Sequence, residues 1–293
     1  MSNTPVVVGV DGSDFALTAT EWAADEAARR HARLHVVHAN LWPTVRMPAG
    51  HYPIEFQQPL LERSKRLLDT AVAAARREQP GLEVSSALVT TTPVDLLVAE
   101  SRNAQLVVLG ARGLGGFAEL LAGSVAIGVA SHARCPVAVI RGRTADAALP
   151  TGGPVVVGVD GSPGSTPALR YAFDAASRLG APLVALHTWL DVPVDAPRGE
   201  PPWMIDWDRV QDDEQRLLAE RLAGWQQEYP DVAVARVVTR DRPVRSLLQA
   251  AGAAQLVVVG SRGRGGFAGM LLGSTSHALT YHCPCPLVVV RDT

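Results

Sequence analysis

The chain is poor in lysine, and this absence excludes two common kinds of phosphate site. It has 27 basic residues, and Lys65 is the only lysine among them. A Walker-type loop needs a lysine directly after its glycines, and no Gly-Lys pair occurs in the chain. A protein-kinase site needs a lysine on a strand, whereas Lys65 lies in an arginine-rich helical stretch. Any phosphorylated ligand must therefore be held by backbone amides and arginines.

Cysteine and long apolar runs are also scarce. Three cysteines in 293 residues do not suggest a disulfide framework. Cys283 and Cys285 have no second pair nearby, which favours structural thiols over a zinc site. No run approaches the roughly 18 apolar residues of a membrane span. Residues 1–5 carry neither a basic start nor an apolar signal core. We therefore expect a cytoplasmic protein with no membrane span.

The charge and the motif inventory remove further classes. A net charge of -2 and a pI near 6.4 give no electrostatic reason to expect nucleic acid. There is no GxSxG elbow, no HExxH helix and no suitably spaced Cys/His pair. We therefore assign no catalytic residues and no protein metal site.

The chain repeats itself over nearly its whole length. Residues 11–13, Asp-Gly-Ser, recur 149 positions later at 160–162, and residues 105–108 recur 150 positions later at 255–258. A period this long is a domain, since solenoid and propeller units span about 20–50 residues. The predicted organisation is a first domain over 1–143, a linker over 144–153 and a second domain over 154–293.

Apolar runs alternate with helical stretches in both halves, which predicts buried parallel strands joined by helices. A loop rich in Pro and Trp is expected to run to about Pro59, and a helix from Leu60 to Glu78. Right-handed crossovers then give an open doubly wound sheet, whose ligands bind beyond the carboxyl ends of the strands. The expected strands are Val6–Val10, Leu34–His38, Val84–Val89, Leu106–Leu109 and Val137–Ile140, then runs near Val155, Leu183, Val232, Leu256 and Leu287.

A glycine pattern follows the fourth strand of each half. The first copy has Gly110 and Gly113, then nine residues, then Gly123 and Ser124; the second copy has the same spacing from Gly260. Glycines allow close backbone approach and positive φ, so consecutive amides can cradle an anion. The last glycine begins a helix, whose amides and dipole favour phosphate.

The pattern GxxGx9G[S] resembles the nucleotide-binding signature of the universal stress protein family, and its two copies imply a tandem member. The resemblance implies an α/β fold with two flavodoxin- or Rossmann-like domains, each a five-stranded parallel sheet in the order 3-2-1-4-5 with helices on both faces. It also implies ATP as the ligand, one per domain, with or without magnesium, and a role in stress response.

In that family the aspartate after strand one lies near the ribose, the end of strand two contacts adenine and the glycine motif wraps the phosphates. By this resemblance the first site comprises Gly9, Asp11, Ala39, Gly110, Ala111, Arg112, Gly113, Leu114, Gly115, Gly116, Gly123, Ser124 and Val125. The second comprises Gly158, Asp160, Thr188, Gly260, Ser261, Arg262, Gly263, Arg264, Gly265, Gly266, Gly273, Ser274 and Thr275. Arg264 replaces Leu114 and Thr275 replaces Val125, so a difference in affinity is open.

Several of these residues have a second interpretation. The glycines can form a tight strand-to-helix turn, and Asp11 can cap its helix or steady the Asp-Gly-Ser turn. Arg112 and Arg262 are either phosphate partners or merely solvated. His38 and His187 are interpreted as packed side chains. The tryptophans after strand two are interpreted as lid or interface residues: Trp42, Trp189, Trp203 and Trp207.

Three functions remain open. The first is an ATP-binding stress regulator with weak or no hydrolysis, at most a slow ATPase. The second is an adenine-nucleotide α-hydrolase that transfers AMP; such enzymes carry an SGGxDS-like loop, whereas Asp-Gly-Ser is followed here by Asp14 or Pro163. The third is an interaction module that needs no ligand.

The last strand of each half predicts how domains associate. Val137–Ile140 and Leu287–Val290 are expected at sheet edges, and an exposed apolar edge invites pairing. Universal stress domains pair through this strand, so the resemblance implies an internal pseudo-dimer, a homodimer of chains and a regulatory protein partner.

Overall fold

The structure is a computed structural model that describes residues 4–40, 54–113, 123–141, 149–189, 206–264 and 271–291. The chain divides into two compact units between residues 148 and 149. This division falls inside the segment expected as a linker. The finer domain limits at 143 and 154 stay a prediction.

The first unit alternates parallel strands with helices, and each strand is one of the apolar runs of the sequence. The structure confirms all five strands of this half, to within one residue at their ends. Its main elements are β1 (Val6–Gly9), α1 (Asp14–Arg29), β2 (Leu34–Ala39), α2 (Ile54–Glu78), β3 (Val84–Val89), α3 (Pro93–Glu100), β4 (Leu106–Gly110), α4 (Ser124–His132) and β5 (Val137–Ile140).

The second unit repeats this order and adds a short helix before its third strand. Its main elements are β6 (Val155–Gly158), α5 (Thr166–Leu179), β7 (Leu183–Trp189), α6 (Trp207–Leu222), α7 (Trp225–Glu228), β8 (Val234–Arg240), α8 (Pro243–Ala251), β9 (Leu256–Gly260), α9 (Ser274–His282) and β10 (Leu287–Val290).

The strand order within each unit is the predicted 3-2-1-4-5. It is β3-β2-β1-β4-β5 in the first unit and β8-β7-β6-β9-β10 in the second, with parallel pairing throughout. Gly9 of β1 lies between Val37 of β2 and Leu109 of β4. The order reverses between β1 and β4, so the loops after these two strands open side by side at one edge of the sheet. The second unit has the same reversal between β6 and β9.

The core of each unit explains why the strands are continuously apolar. Val6–Val8 and Leu106–Val108 are fully buried because helices cover both faces of the sheet. The face that α1 turns to the sheet is alanine-rich, with Ala16, Ala19 and Ala23 buried at helical spacing. Small side chains let the helix backbone lie close to the strands, which holds the start of α1 against the carboxyl edge.

Some details differ from the sequence prediction. Helix α2 begins at Ile54, and Pro59 lies inside it, because the φ of proline is already helical and only one backbone hydrogen bond is lost. Strand β8 begins at Val234, and Val232 is buried just before it. Trp189 ends β7 and Trp207 begins α6, so neither lies in a loop. Trp42 and Trp203 fall outside the described residues.

None of the helices that the structure describes is both long enough and apolar enough to cross a membrane.

Candidate functional site

The turn after β1 is organised by Asp11. The Ser13 backbone N–H and hydroxyl both donate to Asp11 Oδ1, at 3.0 and 2.7 Å. The Ser13 hydroxyl oxygen accepts the Ala16 N–H at 3.2 Å and so caps α1. Gly12 has a φ of 89°, a left-handed conformation that favours glycine. Asp11 therefore steadies the turn, which is one of the two roles considered beside ligand binding, and Ser13 supplies the cap of the helix.

The equivalent turn in the second unit holds its aspartate with donors from three residues. Asp160 Oδ1 accepts from the Ser162 N–H at 3.0 Å, the Ser162 hydroxyl at 2.7 Å and the Ser165 hydroxyl. Asp160 Oδ2 accepts the Arg264 backbone N–H at 2.6 Å. Burial alone would raise the pKa of Asp160, but these hydrogen bonds outweigh burial and lower the pKa below its usual value.

The two turns differ because the following helices start at different points. In the first unit, α1 begins at Asp14, directly after the turn. In the second unit, Pro163–Ser165 form a single 3-10 turn and α5 begins only at Thr166. This extra turn brings the Ser165 hydroxyl to Asp160. The first unit has Ala16 at the matching position, which has no hydroxyl to donate.

The second glycine of each motif lies against the aspartate of the neighbouring turn. A Cβ atom on Gly113 would collide with Asp11 Oδ2, and a Cβ on Gly263 would lie 2.8 Å from Asp160 Oδ2. The structure therefore brings the loops after the first and fourth strands together in both units, as the strand order predicts. A larger residue at either glycine must displace the carboxylate.

Positive φ is not the reason for these glycines. Among the described residues, the glycines with positive φ include Gly12 and Gly161. They do not include the first two glycines of either motif copy, which are Gly110, Gly113, Gly260 and Gly263. Close approach is the reason instead: a Cβ on Gly110 would lie 2.9 Å from the Phe15 backbone, and one on Gly260 would lie 3.2 Å from the Arg262 carbonyl oxygen. Five other motif positions lie outside the described residues: Leu114, Gly115, Gly116, Gly265 and Gly266.

Gly9 and Gly158 have packing roles. A Cβ on Gly9 would lie 2.9 Å from the Leu97 side chain of α3, and one on Gly158 would lie 3.3 Å from the Leu247 side chain of α8. These two glycines let the helix that follows the third strand pack close to the central strand. The structure gives them this supporting role at the carboxyl edge.

The last glycine of each motif begins a helix without a side-chain cap. Gly123 precedes α4 and Gly273 precedes α9, and neither start has a side-chain hydrogen bond. The Gly123 N–H donates to the Ala111 carbonyl at 2.9 Å, which ties the helix start to the loop after β4; the Gly273 N–H donates likewise to the Ser261 carbonyl, at 2.7 Å. First-turn amides lack helical partners and carry the positive end of the dipole, so these helix starts suit an anion.

The first turn of α4 contains Ser124 and Val125, and the first turn of α9 contains Ser274 and Thr275. Their backbone amides lie at the end of each helix that follows the motif loop. At the other predicted contact, Ala39 ends β2 and is half-buried. Thr188 is the penultimate residue of β7 and is also half-buried. Those predicted residues that the structure describes therefore gather at the carboxyl edge of each unit.

Arg112 supplies a second sign that an anion fits the first site. Its Nε atom is buried and has no hydrogen-bond partner among the described residues. Its guanidinium lies over the Phe15 ring, 5.9 Å from the centroid. A buried donor of this kind normally has a partner, and an anionic group is the natural one. In the second unit, Arg262 is exposed, and the Arg264 guanidinium lies directly over Gly161.

The histidines of the second strands support the aspartate turns. His38 Nδ1 lies 2.6 Å from the Val10 carbonyl oxygen, and His187 Nδ1 lies 2.7 Å from that of Val159. Because a carbonyl only accepts, Nδ1 carries the proton in both cases. Each ring thus fixes the peptide directly before the aspartate. The packed interpretation stands, with this positioning contact in addition.

Sequence reasoning missed three contacts around these turns. His187 Nε2 lies 2.7 Å from Glu214 Oε2 of α6. Leu67 of α2 and Leu217 of α6 lie over Gly12 and Gly161 respectively. The available signal was the repeat itself, since both leucines occur 150 positions apart on matching helices.

Metal and thiol chemistry find little support in the part of the chain that the structure describes. It contains no group of three or more His, Cys, Asp or Glu side chains suited to a metal ion. Burial raises the pKa of the Cys135 thiol to about 12. Cys283 Sγ lies 3.8 Å from Cys285 Sγ, and this contact, together with burial, raises the pKa of Cys285. Buried protonated thiols of this kind are structural.

One oxygen of the second turn suits magnesium poorly. Asp160 Oδ1 already accepts three hydrogen bonds, although an oxygen offers only about two lone-pair directions, whereas Oδ2 accepts one. Direct coordination of magnesium by Oδ1 would need these donors to move.

The chain is similar to known proteins over nearly its whole length. Residues 2–141 and 153–291 each match the universal stress protein family. Universal stress protein Rv2005c of Mycobacterium tuberculosis is 45% identical over 295 residues, covering 98% of this chain and 97% of that protein. Universal stress protein Rv2623 of the same organism is 42% identical over 302 residues, covering 100% and 98%.

A crystal structure of a universal stress protein from Archaeoglobus fulgidus has the same fold. Its TM-score is 0.72 at 19% identity, with coverage of 99% of this chain and 96% of that one. The family match and the full-length relatives together show that this chain belongs to the universal stress protein family, with two of the family's domains in tandem.

Proposed function

We propose that this chain is an ATP-binding regulator in stress response, with one nucleotide site at the carboxyl edge of each unit and weak or no ATP hydrolysis. One observation carries the proposal: in both units the second motif glycine lies against the aspartate after the first strand. Two independent loops thus meet where an open parallel sheet binds its ligands.

The phosphates are assigned to the glycine loop and the helix start. Amides of the Gly113 loop and of Ser124 and Val125 donate to phosphate oxygens, at the positive end of the α4 dipole. Arg112 Nε, which lacks a described partner, supplies a charged donor. The second unit uses the Gly263 loop, Ser274 and Thr275 in the same way.

The nucleoside is assigned to the first two strands. Asp11 and Asp160 lie near the ribose. Ala39 and Thr188, at or next to the carboxyl ends of β2 and β7, contact adenine through their main chain. His38 and His187 support this part of the site, because each holds the carbonyl that precedes the aspartate. The base and the ribose are thereby oriented while the glycine loop holds the phosphates.

Weak or absent hydrolysis in the second unit follows from the state of the Asp160 carboxylate. A general base works best when its pKa lies near the working pH. Asp160 has a lowered pKa and four donors on its oxygens, so it is a poor acceptor for a proton from water. Release of inorganic phosphate from ATP should therefore be slow. An assay that finds release of pyrophosphate instead would favour the AMP-transfer alternative.

Binding stoichiometry tests the proposal. Calorimetric titration of the full chain with ATP should give two equivalents, and Gly113→Ala and Gly263→Ala should each lose one because the added Cβ displaces the aspartate carboxylate. Gly81→Ala and Gly152→Ala are matched controls, since a Cβ at either position meets nothing within 4 Å. ATP binding that is unchanged in both motif variants would contradict the proposal, and no binding by the wild type would favour the ligand-independent module.

The assembly and the location belong to the same proposal. Pairing of the two units through their last strands, a homodimer of chains and a regulatory protein partner follow from the family resemblance, and a cytoplasmic setting follows from the scarcity of cysteine. Sedimentation of the full chain and of each half tests the assembly, because a half that relies on such pairing should self-associate. Two halves that stay well-behaved monomers would contradict it.

A further inference from the structure

The carboxyl-edge loops of the two units carry opposite charge. We define these loops by the described residues at or after the carboxyl ends of the first, third and fourth strands: 10–14, 90–95 and 111–113 in the first unit, and 159–163, 240–245 and 261–264 in the second. The first set holds three carboxylates, Asp11, Asp14 and Asp95, and one guanidinium, Arg112. The second set holds two carboxylates, Asp160 and Asp241, and five guanidinium groups, Arg240, Arg242, Arg245, Arg262 and Arg264.

The difference arises by replacement at matching positions, not by insertion. At an offset of 150 residues, Arg242 stands where the first unit has Thr92, and Arg245 stands where it has Asp95. In the first unit these two residues cap α3, because the Thr92 hydroxyl accepts the Asp95 N–H at 3.1 Å. In the second unit the start of α8 has no side-chain cap. A local capping pair has thus been replaced by two cations at the start of a helix.

Not all five arginines in the second set of loops are available to a ligand. The Arg240 guanidinium lies over the Trp207 ring, 4.2 Å from its centroid, and Arg245 Nε lies 3.7 Å from Asp241 Oδ2. Arg242, Arg262 and Arg264 are exposed, and none of them takes part in an ion pair with another described residue. Three cations at this edge therefore keep their charge unneutralised within the described chain.

Arg264 is the cation best placed to act on a ligand of this site. Its own backbone N–H is fixed to Asp160 Oδ2 at 2.6 Å, and its guanidinium lies directly over Gly161. The charge is thereby held at the turn beside the aspartate. The matching residue of the first unit, Leu114, is neutral.

We propose that the two sites select nucleotides by phosphate charge. The second site prefers polyphosphates such as ATP, and the first site binds AMP and ATP with similar affinity. The inference rests on the proposed function, because both units must first bind adenine nucleotide. Electrostatic attraction grows with each added phosphate at the basic edge, whereas at the acidic edge the three carboxylates offset the gain that Arg112 and the start of α4 supply. One chain could then hold ATP in its second site while its first site follows the pool of less phosphorylated nucleotide.

The experiment compares AMP, ADP and ATP at each site alone. Full-length Gly113→Ala leaves the second site, and Gly263→Ala leaves the first; dissociation constants are measured by calorimetry at two salt concentrations. The second site should bind ATP at least about 30-fold more tightly than AMP, with a preference that shrinks at high salt. The first site should show at most about a threefold difference. Equal ATP-to-AMP ratios at the two sites would overturn the charge selection and leave the proposed function standing.

Replacing arginines of the second unit by the matching residues of the first unit then shows which charges cause the selectivity. In the Gly113→Ala background, Arg264→Leu should weaken ATP binding about tenfold and AMP binding less, and adding Arg242→Thr should reduce the ratio further. Arg236→Ser is the matched control: it removes one exposed charge from the middle of β8, where the first unit has Ser86. A ratio that stays unchanged in the Arg264 variant, or that falls equally in the control, would contradict the assignment. Loss of all nucleotide binding by both single-site proteins would instead contradict the proposed function.

Discussion

The two units share a backbone design and differ in the side chains that surround it. In both, the aspartate turn, the motif glycine and the histidine-to-carbonyl contact recur with nearly the same geometry. In the second unit the aspartate also accepts from the Ser165 hydroxyl, where the first unit has Ala16, and His187 contacts Glu214. The backbone contact is therefore what the repeat preserves, and the polar surroundings are where the two sites diverge. The predictions below test this comparison.

The largest difference in packing is aromatic and belongs to the second unit. Phe173 is fully buried and stacks on Trp225, with ring centroids 5.4 Å apart; the first unit has Ala24 at the matching position. Phe173→Ala should lower the free energy of unfolding of the second unit by about 3–5 kcal/mol. Two-probe denaturant unfolding measures this, with Phe173→Leu as a milder control. A loss below about 1 kcal/mol would show that this cluster is not what holds α5 to α7.

The next comparison concerns a buried ion pair of the first unit that the matching positions of the second unit lack. Arg30 Nε lies 2.7 Å from Glu26 Oε1, with side chains 9% and 7% exposed. The second unit has Ala175 and Leu179 at these positions. Glu26→Ala should cost about 3 kcal/mol because Arg30 loses its carboxylate, whereas the double change Glu26→Ala/Arg30→Leu should recover most of that loss. Urea unfolding of both variants decides, and a double variant no more stable than the single one would contradict this account.

The aspartate turn of the second unit predicts a pH dependence. The folded-state pKa of Asp160 lies below its usual value of 3.8, so its contribution to stability is present above that value and is lost as pH falls through the lower folded pKa. Asp160→Asn should cost about 1–3 kcal/mol at neutral pH and progressively less in acid. Unfolding between pH 7 and pH 3 measures this, with the exposed Asp212→Asn as control. A cost that is the same at both ends of the range would refute the charge-based explanation.

The smallest effect is expected at a surface pair. Arg77 Nη2 lies 3.1 Å from Glu21 Oε1, with side chains 70% and 40% exposed. Glu21→Gln should change the free energy of unfolding by less than about 0.5 kcal/mol, because water screens the pair. Thermal unfolding at low and high salt checks this. A loss above about 1 kcal/mol would mean that the link between α1 and α2 matters more than its exposure indicates.

Much of the fold was predictable because both faces of each sheet are covered. A strand such as Leu106–Gly110 must then be apolar at every position, and such runs are visible in the sequence. The repeat supplied the rest, since any element found in one half has a counterpart in the other. The start of α2 was not predictable from Pro59, because a proline can end a helix or lie inside one, and tertiary packing decides which.

The sequence predicted which residues belong to the candidate site better than it predicted the physical role of each residue. The spacing from Gly110 to Gly123 marked the loop, but a glycine needed for close approach looks the same in sequence as one needed for positive φ. Contacts such as Arg264 to Asp160, 104 positions apart, depend on strand order and cannot be derived from a local pattern. The contact from His187 to Glu214 likewise joins residues that are 27 positions apart.

The central claim is that two nucleotide sites are each built on a glycine-to-aspartate contact. Its most direct test is calorimetric titration of ATP into the wild type, the double variant Gly113→Ala/Gly263→Ala and the control Gly81→Ala/Gly152→Ala. We predict two equivalents bound by the wild type and the control, and none by the double variant, with all three folded by circular dichroism. Retention of two equivalents by a folded double variant would contradict the claim.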